Sequence, residues 1–131
     1  MKNIFFILVQ AFFLSNCNED NVSTKINHPI TGSWHLISYE PGFSPTSFYK
    51  NEEVTWVFYN DGKLVVKIKN GTSINNSMPL SSDGNYLYTI TDKLITLKDF
   101  EYDYSIENET LTISNNPAAD GKRLIFQKVV K

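Results

Sequence analysis

Few side chains in this chain could do chemistry. There is one cysteine, Cys17, and two histidines, His28 and His35, with acidic pairs at Glu52-Glu53 and Glu101/Asp103. A single cysteine can form neither an intramolecular disulfide nor a cysteine-based zinc cluster. His28 lies in a polar stretch and His35 on a predicted strand, and neither stands in a context that suggests a base or a metal ligand. The acids fall at a strand start and on a wet strand face, where solvated charge is the ordinary explanation. No phosphate loop, nucleophile elbow or metal-ligand spacing occurs. The residues therefore point away from an enzyme: no catalytic residue, metal or cofactor is expected.

The position of the cysteine does suggest a role. Lys2 is followed by an apolar run, Ile4 to Leu14, broken only by Gln10. As a helix it would span roughly 16 Å, about half a bilayer core. That is too short to cross a membrane and fits the apolar region of a secretory signal. The run ends in Leu14-Ser15-Asn16-Cys17, which resembles the lipobox of bacterial lipoproteins, although Asn16 stands where Gly, Ala or Ser is usual. The resemblance implies cleavage after residue 16 and a lipid on Cys17. Several acyl chains, at about 0.8 kcal/mol per buried methylene, make a stable membrane anchor. Asn18-Glu19-Asp20-Asn21 then resembles the surface-export signal of Bacteroidetes lipoproteins, a plain solvated tether being the alternative. The expected organisation is a signal peptide over 1–16, the lipidated cysteine and a flexible tether over 17–29, and one domain over 30–131. The expected location is the outer membrane, periplasmic or surface-exposed.

Composition narrows the partners. The chain carries 12 basic and 14 acidic side chains, and residues 1–16 contribute only Lys2, so the remainder holds 11 against 14. It has no basic field with which to neutralise phosphates, so nucleic acid is not an expected partner. A monomer is expected. Seven Tyr, nine Phe and two Trp favour strands over helices.

From Ile30 onward no amphipathic helix of ten residues stands out, and a period of two recurs instead. Phe100, Tyr102, Tyr104 and Ile106 alternate with Glu101, Asp103 and Ser105. Leu64, Val66 and Ile68 alternate with Lys63, Lys67 and Lys69. Further strands are predicted over Ser33–Tyr39, Glu53–Tyr59, Tyr86–Thr91, Leu94–Lys98, Thr110–Ser114 and Arg123–Val130. Asn60-Asp61-Gly62, Thr91-Asp92-Lys93 and Glu107-Asn108-Glu109 supply short polar turns. Eight strands in an up-and-down meander can close into an antiparallel β-barrel and lose their exposed edges. Two connections are longer. Residues 70–83, rich in Asn, Ser and Gly, read as plain surface loop. Residues 40–52 carry Phe43, Phe48 and Tyr49, which suit either a lid over the barrel mouth or a loop packed on the outer wall.

Gly32-Ser33-Trp34 resembles the Gly-x-Trp signature of lipocalins. With Tyr88-Thr89-Ile90 and the final Leu124-Ile125-Phe126-Gln127-Lys128, residues 30–131 resemble the short lipocalin-like domains of Bacteroidetes lipoproteins. The resemblance implies that Trp34 plugs the closed end and that a basic residue near the last strand, Arg123, packs over its ring. The larger lipocalins have a helix after the eighth strand, and none follows here. Such a barrel is just wide enough to be filled by side chains or to hold one small ligand. The rings expected inside are Trp34, Trp56, Phe58, Tyr86, Tyr88, Phe100, Tyr102, Tyr104 and Phe126. Two functions fit. One is a carrier of a small, partly apolar molecule, with Trp56, Phe58, Tyr86, Tyr88, Tyr102 and Tyr104 lining the site and Phe43 and Phe48 at its entrance. The other is a surface module that binds a protein or glycan through its loops.

Overall fold

The alternation of apolar and polar side chains sets where each strand lies and which face it buries. The structure is a computed structural model, and it describes residues 27–116 and 121–130. The signal segment 1–16, Cys17 and most of the tether lie outside the described residues. The strands are β1 (Gly32–Glu40), β2 (Ser47–Phe48), β3 (Val54–Phe58), β4 (Lys63–Ile68), β5 (Gly84–Ile90), β6 (Leu94–Leu97), β7 (Phe100–Glu107), β8 (Thr110–Ser114) and β9 (Arg123–Lys128). All but β2 match strands predicted above, with ends moved by at most two residues.

Neighbouring strands pair antiparallel in the order β2-β1-β3-β4-β5-β6-β7-β8-β9. β1 also pairs with β9, from Trp34 opposite Lys128 to Glu40 opposite Arg123, and this closes an eight-stranded barrel. β2 is a short addition: Ser47 and Phe48 pair with Tyr39 and Ser38 along the part of β1 that lies beyond its ladder with β3.

Inward residues from every long strand form one apolar cluster, including Trp34, Trp56, Phe58, Leu64, Leu97, Leu111 and Phe126. Each such side chain contributes about 1.5–3 kcal/mol by leaving water. Strict alternation fails at one place. The β1–β9 register shifts between Leu36 and Ser38, leaving Ile37 as the extra residue of a bulge. Beyond it, Tyr39 turns into the core and is fully buried. Phe100, expected inside, is 66% exposed. It has the parity of Tyr102 but is the first residue after a turn, at the rim.

The closed end is formed where the N-terminal segment enters. Ile30 is fully buried, and its carbonyl accepts the Trp34 indole N–H at 2.7 Å. His28, assigned above to the tether, is bound to the barrel. Its Nδ1 accepts the Ile30 N–H at 3.1 Å, and its Nε2 lies 3.0 Å from the Tyr104 hydroxyl, which donates to the Thr91 carbonyl. With the tyrosine proton committed, the imidazole is the Nε2–H tautomer. The cation over Trp34 is Lys128, 5.6 Å from the ring. Arg123 does not fill that place. The antiparallel register sets it opposite Glu40 at the other end of β9, where it pairs with the Glu40 carboxylate at 3.4 Å.

Two predictions follow from this geometry. Lys98-Asp99 and Asn108-Glu109 are two-residue turns in which all four residues have positive φ, 46° and 67° in the first and 47° and 65° in the second, as a type I′ hairpin requires. Left-handed backbone costs a non-glycine residue about 1–2 kcal/mol, and glycine's extra chain entropy takes back about 0.5–1 kcal/mol. Glu109→Gly, which creates the favoured Asn-Gly pair, should therefore stabilise the domain by about 1 kcal/mol and raise Tm by roughly 4–8 °C. A lower Tm would contradict the turn assignment. In urea unfolding, Lys128→Gln should cost about 1 kcal/mol through the lost contact with the indole. Arg123→Gln should cost about 0.5 kcal/mol or less, as exposed pairs do. The reverse ranking would restore Arg123 to the closed end.

Candidate functional site

The opposite end, the barrel mouth, is bounded by the last residues of β1, β4, β6 and β8 and the connections that follow them. The connection over 69–83 is a lid rather than a plain surface loop. Three apolar side chains sit among its Asn, Ser and Gly residues. Met78 and Leu80 are buried in the core, and Ile74 packs against it. The lid leaves β4 and returns into β5, yet it is held from the far wall. The Ser77 carbonyl accepts the Tyr39 hydroxyl at 2.9 Å and the Lys122 ammonium, just before β9, at 2.7 Å. The Asn75 side chain accepts the Ser77 N–H and hydroxyl at 3.0 and 2.7 Å, shaping the turn. At its base the Asp83 carboxylate takes the Ile68 N–H. The bulge at Ile37 makes this latch possible, because with unbroken alternation Tyr39 would face away from the core.

The aromatic loop behaves in the opposite way. Phe43 and Phe48 are 89% and 77% exposed, so they neither cover the mouth nor pack on the wall. Tyr49 turns inward and is buried, its N–H bonded to the Ile37 carbonyl at 2.9 Å.

The other predicted site residues divide by position. Trp56, Phe58 and Tyr88 are buried in one run of rings, with Trp56 4.8 Å from Phe126 and 6.2 Å from Phe58, and Phe58 edge-on to Tyr88 at 5.1 Å. The Tyr88 hydroxyl donates to the Tyr59 carbonyl at 2.7 Å, and Tyr104 is held beside His28, so both serve the closed end. Tyr86 is half-buried beneath Lys98, 5.2 Å from its ring. It lines an open groove of about 320 Å³ with Leu87, Thr89, Thr96 and Asp99, where β5 runs on past the end of β6. A second open groove, of about 350 Å³, lies at the closed end beside Trp34 and Lys128. His35 faces Thr55 across the β1–β3 ladder with its Nδ1 3.1 Å from the threonine hydroxyl, a structural contact.

At the mouth, then, the structure gathers Tyr102 from the predicted set, while Trp56 lies deeper, across the β1–β3 ladder from Trp34. It adds Tyr39, Tyr49, Ser77, Met78, Leu80 and Lys122. The run Met78-Pro79-Leu80 inside a polar loop was the one sequence signal for the lid. Two buried polar atoms have no protein partner: the Tyr49 hydroxyl, near Tyr39 of the latch, and the Trp56 indole nitrogen. Both belong to residues of the same apolar cluster. Chemically the mouth is a neutral, aromatic region with one buried hydroxyl that has no protein partner.

Burial raises the pKa of Tyr39, Tyr88, Tyr102 and Tyr104 above the ordinary phenol value. For Tyr39 the bond with Ser77 opposes the shift, and neighbouring Tyr49 adds to it. In the unfolded chain these phenols ionise at their ordinary value, so folding holds protons that the unfolded state releases. Their contribution is complete below pH 10 and is lost as pH rises through the raised values. Thermal melts should show Tm falling above about pH 10, with a smaller fall in Tyr102→Phe. An alkaline Tm profile identical in the two proteins would contradict this.

No protein-family model matches the chain, and no curated protein matches it. Among solved structures, an uncharacterized protein from Bacteroides eggerthii is similar, with a TM-score of 0.52 at 13% identity, over 76% of this chain and 98% of that one. At that identity the likeness is one of fold, and the fold is the all-β barrel.

Proposed function

We propose that this chain is a lipid-anchored, lipocalin-like protein of the outer membrane that holds a small, partly apolar molecule at the mouth of its barrel, beneath residues 69–83. The observation that carries this reading is the buried Tyr49 hydroxyl, which has no protein partner and lies near Tyr39 of the latch. Buried side-chain polar atoms in folded proteins are nearly always paired. Each unpaired one costs about 1–3 kcal/mol, which a bound molecule's oxygen recovers. The lid supplies the route: Met78 and Leu80 fill the mouth, and the Ser77 latch that holds them there consists of bonds from Tyr39 and Lys122. Because the rings already fill much of the interior, the molecule is small and takes the place of lid side chains. The segment beginning at His28 enters at the closed end, so an anchor on Cys17 would leave the mouth at the far end from its attachment.

The exposed rings of Phe43 and Phe48 favour a second reading, in which the same loop docks on a protein or glycan partner.

A titration with the neutral fluorophore N-phenyl-1-naphthylamine tests both. Saturable, one-to-one binding that quenches tryptophan emission is expected. Lys122→Met and Tyr39→Phe each remove one bond from the latch, worth about 0.5–1.5 kcal/mol, so the probe should associate roughly 2- to 10-fold faster in either variant. Phe43→Ser with Phe48→Ser should leave its affinity unchanged. An absence of saturable binding would sink the mouth reading, and loss of binding in the double loop variant would move the site to the exposed rings.

A further inference from the structure

The closed end carries a surface that neither the plug nor the mouth explains. An open groove of about 350 Å³ lies beside the buried Trp34, with Pro29, Val129 and Val130 in its wall. Val130 is 70% exposed, one of the large apolar side chains that the barrel leaves in water. Two opposite charges, on Glu109 and Lys128, line the same groove. They do not neutralise each other: among the described residues the one ion pair joins Arg123 to Glu40 at the other end. The Lys128 ammonium rests over the Trp34 ring, 5.6 Å from its centre, and Glu109 is exposed in its turn. One part of the surface is thus apolar, and another presents one charge of each sign.

The place of this groove in the chain says what covers it. Asn27, the first described residue, follows Cys17 by ten positions, and ten residues reach at most roughly 36 Å when fully extended. A lipid on Cys17 would therefore hold the closed end within that distance of the bilayer. A phospholipid interface offers the matching chemistry: hydrocarbon for the valines, a phosphate for Lys128 and a headgroup ammonium for Glu109. Lysine suits such a boundary, since its stem lies along apolar surface while its ammonium reaches polar groups. A purely anionic surface matches less well, because the chain after residue 16 holds 11 basic and 14 acidic side chains.

We propose that the closed end docks on the membrane, with Val129 and Val130 entering a zwitterionic phospholipid interface and Lys128 and Glu109 meeting its headgroups. This rests on the lipid anchor proposed above. It adds a second, noncovalent contact with the bilayer, and an orientation in which the mouth faces away from it.

Cys17 is the one native cysteine, and a lipid on it leaves an introduced cysteine as the one thiol open to labelling. Full-length lipoprotein carrying Val130→Cys and a nitroxide label can be reconstituted in vesicles of phosphatidylethanolamine and phosphatidylcholine. Collisions of the label with oxygen and with a water-soluble nickel chelate report its depth. Oxygen should dominate at position 130, whereas the same label on Phe48→Cys, at the opposite end, should report water. Adding Val129→Asp should lower the lipid-contacting fraction at 130 by about tenfold or more, because a carboxylate enters an apolar interface at high cost. A label at 130 as open to the chelate as the label at 48 would overturn the docking and leave the anchor in place. Lipid contact in phosphatidylglycerol vesicles alone would also overturn it. The mass of the Cys17 peptide separates the two readings: with no lipid there, the anchor falls, and the docking falls with it.

Discussion

β1 meets three other strands: β3 beside Gly32 to His35, β9 from Trp34 to Glu40, and β2 beside Ser38 and Tyr39. The pairing with β9 is the constraint on which the rest depends. Without it the sheet would be open, with two unpaired edges and an apolar face in water. With it, side chains that alternate along eight strands are forced to meet at a common axis, and only large rings and branched side chains fill that space at native density. The same register fixes the chemistry of each end, because one antiparallel ladder sets Lys128 beside Trp34 and Arg123 beside Glu40.

The two ends are closed by different means. At the closed end the chain itself is the plug. The bonds that secure it run through the buried Trp34 indole, the Ile30 backbone and the His28–Tyr104–Thr91 series, so releasing the plug means breaking into the core. At the mouth the cover is a loop held through one carbonyl, that of Ser77, by Tyr39 and by an ammonium from a residue beside a strand end. Segments that open first in a folded protein are those with few buried contacts and partly exposed hydrogen bonds. The mouth is therefore the end with the more exposed hydrogen bonds, its cover anchored in the core by Met78 and Leu80.

The strands and most turns were legible because their signals are local. Period-two alternation located the long strands to within two residues, and Asn60-Asp61-Gly62 marked a hairpin whose Gly62 has φ 87°. The site was much less legible. Whether Tyr39 faces inward depends on the bulge at Ile37, a property of the β1–β9 register that neither strand encodes alone. The same long-range pairing decides which cation reaches Trp34, so placing Arg123 there by its position at the start of β9 put it at the wrong end. The composition of residues 70–83 suggested solvent, and the few apolar side chains that matter were outweighed by the polar ones that surround them.

Exposed and buried aromatics in this chain thus follow one rule, which concerns the backbone rather than the ring. Phe43 and Phe48 are the more apolar residues, yet they are exposed, while the phenol of Tyr49 is buried. Phe48 lies in β2 directly across from Ser38, and pairing on a pleated ribbon sends successive side chains to opposite faces, so when Phe48 faces out, Tyr49 faces in. Burying Tyr49 brings a hydroxyl without a protein partner into an apolar cluster, a desolvation cost that offsets part of what the ring gains by packing. The bulge that buries Tyr39 and the short strand that buries Tyr49 lie beside each other on β1. Together they supply the mouth with its hydroxyls: one holds the lid shut through Ser77, and the other is buried without a protein partner.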